Sequence, residues 1–353
     1  PTPPAGALQF SGATYSVAEN GTSLLVTVTR TGGSFGAVTV DYASADGSAT
    51  AASDYSAASG TLNFADGVIS QNFSVGILDD TTWEGDEDFT LGLSNATGGA
   101  SIGTPSTTTV TITEDDPTPP AGALQFSGAT YSVAENGTSL LVTVTRTGGS
   151  FGAVSVDYAS ADGSATAASD YSAASGTLNF ANGVISQTFS VGILDDTTWE
   201  GDEDFTLGLS NAAGGASIGT PSTATVTISE DDPTPPAGEL RFESALYSIP
   251  ENGTSLLVTV TRTGGSFGAV SATYGSANGT ATAGSDYSTA SGTVNFADGV
   301  TSQTFSVGII DDTTYEGDED FTLSLSNATG GATIGAPSTA TVTITEDDPT
   351  PPA

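Results

Sequence analysis

In Leu24-Leu25-Val26-Thr27-Val28-Thr29, the apolar residues Leu24, Val26 and Val28 fall on one side and Thr27 and Thr29 on the other. A period of two is the mark of a strand with one buried face. Working outward, the same alternation runs through Thr14 to Ala18, then Val38, Val40 and Tyr42, then Leu62 and Phe64. It continues through Phe73, Val75 and Ile77, then Phe89, Leu91 and Leu93, then Val110 and Ile112. Gly32-Gly33-Ser34-Phe35-Gly36 reads as a turn between two of these segments, and Asp66-Gly67 as a hairpin turn. Thr and Val suit strands, and no segment sustains a helical period. About seven strands with one apolar face each predict a two-sheet sandwich.

The pattern restarts every 116 residues, at Pro117 and Pro233 and again at Pro349, each time after Glu-Asp-Asp. Self-similarity at a fixed period marks an array, and a unit of this length suits one independent domain. The expected architecture is all-β: three tandem Greek-key (immunoglobulin-like) β-sandwich domains joined by short Pro-rich linkers. They span residues 1–116, 117–232 and 233–348, and residues 349–353 begin a further linker or repeat. The first two units differ only at positions 39, 66, 72, 97, 108 and 113 of the first. The third has drifted further, with Pro250 before Glu251 and Tyr315 in place of Trp83 and Trp199. Each Pro-Thr-Pro-Pro connector favours extended backbone and acts as a semi-rigid spacer. Both ends of the chain fall at the same point of the repeat, as expected of a window from a longer polymer.

Forty-one acids face four arginines, with no Lys and no His, for a net charge of −37. Without a basic footprint, nucleic acid and anionic membrane surfaces are excluded as partners. No apolar run is long enough to span a bilayer, so no direct membrane insertion is expected of this segment. Cysteine is absent, which removes disulfide and thiol chemistry. Together with the Thr, Ser, Gly and Ala richness, this points to an extracellular or cell-surface location, in a bacterium.

The acids are clumped and recur at fixed offsets. In the first unit they are Glu19, Asp54, Asp79, Asp80, Glu84, Glu114, Asp115 and Asp116. A sandwich brings loops from one end together, so this spacing suits one shared tip. Eight carboxylates there need cations, and oxygen-only ligation without His or Cys points to Ca²⁺ over Zn²⁺ or Mg²⁺. Asp86, Glu87 and Asp88 are read as solvent-facing, Asp46-Gly47 as a turn, and Trp83, Trp199 and Tyr315 as packing beside the tip. Asn20-Gly21-Thr22 fits a glycosylation sequon, a match that chance supplies easily in a Ser/Thr-rich chain.

These residues resemble the Calx-β domain, a β-sandwich module named from sodium–calcium exchangers and found in tandem in large bacterial surface proteins. The resemblance covers all of every unit. It is carried by Val17-Ala18-Glu19-Asn20-Gly21, by Asp46-Gly47-Ser48-Ala49 through Ser53-Asp54-Tyr55, and by Gly60-Thr61-Leu62-Asn63-Phe64. Ile77-Leu78-Asp79-Asp80, Glu84 to Phe89 and Ser106 to Asp116 complete it. It implies calcium ligation by the eight acids above, by Glu135, Asp170, Asp195, Asp196, Glu200, Glu230, Asp231 and Asp232, and by Glu251, Asp286, Asp311, Asp312, Glu316, Glu346, Asp347 and Asp348. Glu114 stands where the family usually has Asp, so one site is expected to differ in geometry.

Three function classes follow. The first is a calcium-binding structural repeat of a long extracellular or cell-surface fibre or adhesin, with Ca²⁺ stiffening the joints between neighbouring repeats. The second is a calcium sensor of a membrane transporter. An enzyme is not expected, because paired carboxylates without His, Lys or Cys, in three copies, make a poor active site. Within the first class, a self-assembling homopolymeric filament held by lateral contacts is the alternative to a stalk.

Overall fold

Alternation along the chain becomes two sheets per repeat. A computed structural model describes residues 2–351, and the first repeat contains β1 (Ala7–Phe10), β2 (Thr14–Ala18), β3 (Ser23–Thr31), β4 (Val38–Asp46), β5 (Ser59–Phe64), β6 (Ser70–Gly76), β7 (Glu87–Ser94), β8 (Ser101–Ile102) and β9 (Thr107–Thr113). One sheet has the order β6-β3-β1-β8 and the other β2-β9-β7-β4-β5. Pairing is antiparallel except for β1 with β8 and β2 with β9. The same nine strands recur from Ala123 to Ser229 and from Glu239 to Thr345. No helix occurs among the described residues, and so none that could cross a membrane.

Nine strands replace the expected seven. The additions are β1, with only two alternating apolar residues, and the two-residue β8 that pairs beside it. Both are too short to carry a periodic signal. They matter because β1 follows the linker and contributes Leu8 and Phe10 to the core, both fully buried.

The core lies between the sheets. Val26 and Val28 face Val40, Phe64, Phe89, Leu91 and Val110, all at most 1% exposed. Tyr55 stacks on Phe89 with centroids 4.0 Å apart, and its hydroxyl donates to Asp46 Oδ1 at 2.6 Å. Asp46 Oδ1 also accepts from the Ala51 amide at 2.9 Å, so this acid, read as part of a turn, organises the loop that follows. The apolar ring and the polar loop are thereby fixed by one residue.

Strand direction sets the tip. Because β2 runs parallel to β9, Ala18 pairs with Thr113 and both strands end together. Running antiparallel, β7 starts there, with Glu87 opposite Ile112. At this end β4 finishes, pairing Asp46 with Phe89. The residues just beyond these ends are the recurrent acids.

Three of the four arginines are buried where the alternation would place an apolar residue. Arg30, Arg146 and Arg262 are 4%, 3% and 2% exposed. Arg146 donates from Nε to Ala121 O at 2.6 Å, from Nη1 to Gly152 O at 3.0 Å and from Nη2 to Phe151 O at 2.6 Å. A planar fork of donors suits three carbonyls converging from two segments. The guanidinium therefore ties the chain leaving the linker to the hairpin 148–152.

Candidate metal centre

Glu19 is the residue after β2. Its amide donates to Thr113 O at 3.0 Å, and its side chain is 9% exposed. Asp54 is held by its neighbour Tyr55, whose ring is locked in the core. Asp54 Oδ2 accepts from Thr50 N at 2.6 Å, and Leu78 N donates to Asp54 O at 3.0 Å, joining this loop to the Asp79-Asp80 strand end. Asp80 Oδ1 accepts from Thr82 N at 2.6 Å and so shapes the loop carrying Trp83 and Glu84.

The terminal run is organised by Glu114. Its Oε2 accepts from Glu84 N at 2.5 Å and Gly85 N at 2.8 Å, and its Oε1 from Asp115 N at 3.0 Å and Asp116 N at 2.8 Å. The extra methylene relative to Asp lets one carboxylate tie the 84–85 loop to the end of β9. Three of these four bonds recur at Glu230, which accepts from Glu200 N, Gly201 N and Asp232 N, and at Glu346, which accepts from Glu316 N, Gly317 N and Asp348 N. Gly85, at φ +85°, supplies the left-handed turn that this loop needs.

Three groups of acids bring ligand oxygens within 4.8 Å of one another: Glu19, Glu114 and Asp116; Glu19, Asp80 and Glu84; and Asp54, Glu84 and Glu87. The second repeat assembles Glu135, Glu230 and Asp232, and Asp170, Glu200 and Glu203. In the third, Glu346, Asp312, Asp348 and Glu316 all press their charge on Glu251, and Asp286 and Glu316 on Glu319. Asp115 turns aside, accepting from Asn20 N at 3.2 Å and Asn20 Nδ2 at 2.6 Å. The sequon asparagine is thus engaged by the tip. Asp231 and Asp347 accept from Asn136 Nδ2 and Asn252 Nδ2 at the same 2.6 Å. Asp79, Asp195 and Asp311 act through their charge on Asp116, Asp232 and Asp348.

Glu87 corrects the reading of the 86–88 run as solvent-facing. It lies two residues before Phe89 on the inward side of β7 and joins Asp54 and Glu84 in a cleft. The period of two through Phe89 and Leu91 carried that signal. Asp86 and Asp88 are engaged differently: Asp86 Oδ1 accepts from Glu114 N at 3.0 Å and Asp88 Oδ1 from Thr111 Oγ1 at 2.7 Å.

Electrostatics separate the acids. Burial pushes the Glu19 carboxyl up to about 7, helped by its hydrogen bond to Glu114 and by that group's charge. Burial, then the charge of Asp54 and a hydrogen bond to it, pushes Glu87 up to about 7. The amides of Glu84, Asp116 and Gly85 hold Glu114 down at about 2. Asp116 is raised by desolvation and by Glu114 and Asp115.

Asp116, Asp232 and Asp348 each bury one carboxylate oxygen with no hydrogen-bond donor beside it. An orphan anionic oxygen among converging carboxylates fits a hard cation, and an all-oxygen donor set selects Ca²⁺.

Fold and tip together define a carboxylate-lined, cation-binding β-sandwich module. The chain belongs to the Calx-beta domain family, whose model matches residues 4–116, 120–232 and 236–348. Calcium is the ion of that family. The chain is 34% identical over 233 residues to sodium/calcium exchanger 1 of Canis lupus familiaris, covering 61% of this chain and 23% of the exchanger. It is 31% identical over 365 residues to the extracellular matrix organizing protein FRAS1 of Mus musculus, covering 96% of this chain and 9% of that protein. Similarity to adhesion G-protein coupled receptor V1 of Danio rerio is 31% over 329 residues, 87% of this chain and 5% of the receptor. The chain therefore spans less than a quarter of each of these relatives. Among solved structures, the CBD12 crystal structure from CALX1.2 is 26% identical, covers 63% of this chain and 99% of its own, and has a TM-score of 0.31.

Proposed function

We propose that the chain is an extension segment of an extracellular or cell-surface fibre or adhesin, in which Ca²⁺ bound at each tip stiffens the joint that follows. One observation carries this reading. Glu114 and Asp116 belong to the acid cluster and are followed immediately by the linker at Pro117. A cation held by Asp116 would fix the end of β9 against the loops bearing Glu19, Asp80 and Glu84, so the linker would leave from a rigid base. The similarity to FRAS1 and to an adhesion receptor over most of this chain favours this class. A sensing role, as in a transporter, draws on the exchanger similarity, yet three near-copies in series suit length better than sensing. Small-angle scattering in calcium and in chelator tests the proposal. It requires a longer maximum dimension and a narrower distance distribution with calcium, and identical profiles would refute it.

A further inference from the structure

The loop between Asp80 and Glu84 carries an aromatic residue that the acid cluster does not use. Trp83 reaches the second repeat, where its ring meets Phe151 edge-on with centroids 4.8 Å apart and planes at 75°. Trp199 meets Phe267 in the third repeat at 4.8 Å and 76°. Trp83 and Trp199, expected beside the tip, therefore belong to the joints. Each receiving phenylalanine sits in the glycine-rich hairpin that had been read only as a turn.

Both halves of this contact are held by backbone. On one side, Thr82 N donates to Asp80 and Glu84 N to Glu114, fixing the residues either side of Trp83. On the other, Phe151 N donates to Pro120 O at 3.3 Å, and Arg146 holds the carbonyls of Phe151, Gly152 and Ala121. A Cβ on Gly149 would come within 2.1 Å of Pro120 O, so only glycine lets the hairpin lie against the linker. Linker and hairpin thus form one unit, and the phenylalanine faces back toward the preceding tip.

The chain also contains the two halves unmated. Phe35, in the hairpin of the first repeat, is 53% exposed and Tyr315, in the third tip loop, is 42% exposed. Phe151 and Phe267, and likewise Trp83 and Trp199, are only partly exposed. The same hairpin and loop differ in exposure according to whether a neighbouring repeat meets them.

We propose that the hairpin phenylalanine is the docking surface for the tip aromatic of another repeat, that this clasp holds each joint without the cation, and that Phe35 and Tyr315 present its two free halves to further repeats of the same kind. An edge-on aromatic pair would shift the closed-to-open ratio of a tethered joint by about two- to twelvefold. That is enough to bias a joint within one chain, where tethering supplies a high effective concentration, and too little to associate free chains. The partner is a linked repeat with Trp or Tyr between an Asp-Asp pair and a Glu.

The inference rests on reading the chain as an array, and its test runs in chelator so that failure of calcium binding leaves it intact. Trp199→Tyr makes Trp83 the sole tryptophan, and Tyr315 is the native precedent for tyrosine there. In that background, Phe151→Ala is expected to red-shift Trp83 emission and raise its acrylamide quenching about twofold, in chelator and in calcium alike. Phe35→Ala removes the equivalent side chain from an unmated hairpin and should leave Trp83 unchanged. A chain of residues 1–348 followed by 1–353, with Tyr315→Trp in its first copy as the only tryptophan, should show that residue less quenched than in the single chain. Unchanged quenching on Phe151→Ala, or equal quenching of the residue-315 tryptophan in single and duplicated chains, would overturn the proposal.

Discussion

Replacing Arg146 by Lys tests whether a buried cation, rather than apolar packing, ties each linker to its repeat. The guanidinium is 3% exposed and donates to three carbonyls, at Ala121, Gly152 and Phe151. Lysine keeps the charge but offers one compact head, which cannot reach carbonyls converging from two segments at once. At least one bond to a charged donor is lost and a buried carbonyl is left bare, at about 1.5–3 kcal/mol per bond. With one bond lost and a second weakened by about 0.5–1 kcal/mol, the expected loss is about 2–4 kcal/mol from the second repeat, a drop in its melting temperature of roughly 8–16 °C. Trp83→Tyr leaves Trp199 as the reporter of that repeat, and urea unfolding followed by its emission measures the change. Arg241→Lys is the control: Arg241 is half-buried, and the swap should move stability by no more than about 0.5 kcal/mol. A cost for Arg146→Lys as small as the control's would show that apolar packing, not the guanidinium, holds the linker to its repeat.

Further expectations follow from the tip. Glu87→Gln should weaken calcium binding by the first repeat at least about tenfold, about 1.4 kcal/mol, whereas Asp88→Asn should not; calorimetric titration decides, and equal effects would return Glu87 to the solvent. Glu19 and Glu87 have carboxyls raised from 4.5 to about 7, so the stability they contribute is whole below about pH 4.5 and is lost as pH rises through 7. Glu114, lowered to about 2, has the opposite dependence, with its loss confined to pH below about 4.5. Chelated protein should therefore melt lower at pH 8 than at pH 5.5, and calcium should reverse that loss; a melting temperature that rises with pH in chelator would contradict the assignment. Ala52 and Ala168 sit at φ 77° and 78° where the third repeat has Gly284 at φ 94°. Ala52→Gly should stabilise the first repeat by about 0.5–1 kcal/mol in thermal melts, and destabilisation would show that the loop is not strained.

Much of this architecture was written in the period-two pattern. Leu24, Val26 and Val28 identified β3 because one face of a sandwich strand must be apolar, and restarts at Pro117 and Pro233 gave the three units. What escaped was information that periodicity carries but residue chemistry disguises. Glu87 continues the inward series of Phe89 and Leu91, and Arg30 that of Val26 and Val28, yet a charged side chain reads as solvated unless its partners are known. The short β1 and β8 held too few alternations to register. Trp83 was visible as unusual, but its partner Phe151 lies in another domain, and no local pattern reports a contact between domains. Glu114 stays within reach of the other ligand acids, and its extra length also lets it gather four amides, which residue type alone does not report.

Crystals grown in calcium, measured for anomalous scattering by calcium, show whether the acid clusters at the tips hold the ion. Density peaks are expected in all three repeats, between Glu19, Glu114 and Asp116 and between Asp54, Glu84 and Glu87 and at their counterparts, with the orphan oxygens of Asp116, Asp232 and Asp348 in contact with the ion. Tips without anomalous density at millimolar calcium, or calcium bound only away from them, would contradict calcium binding by these clusters.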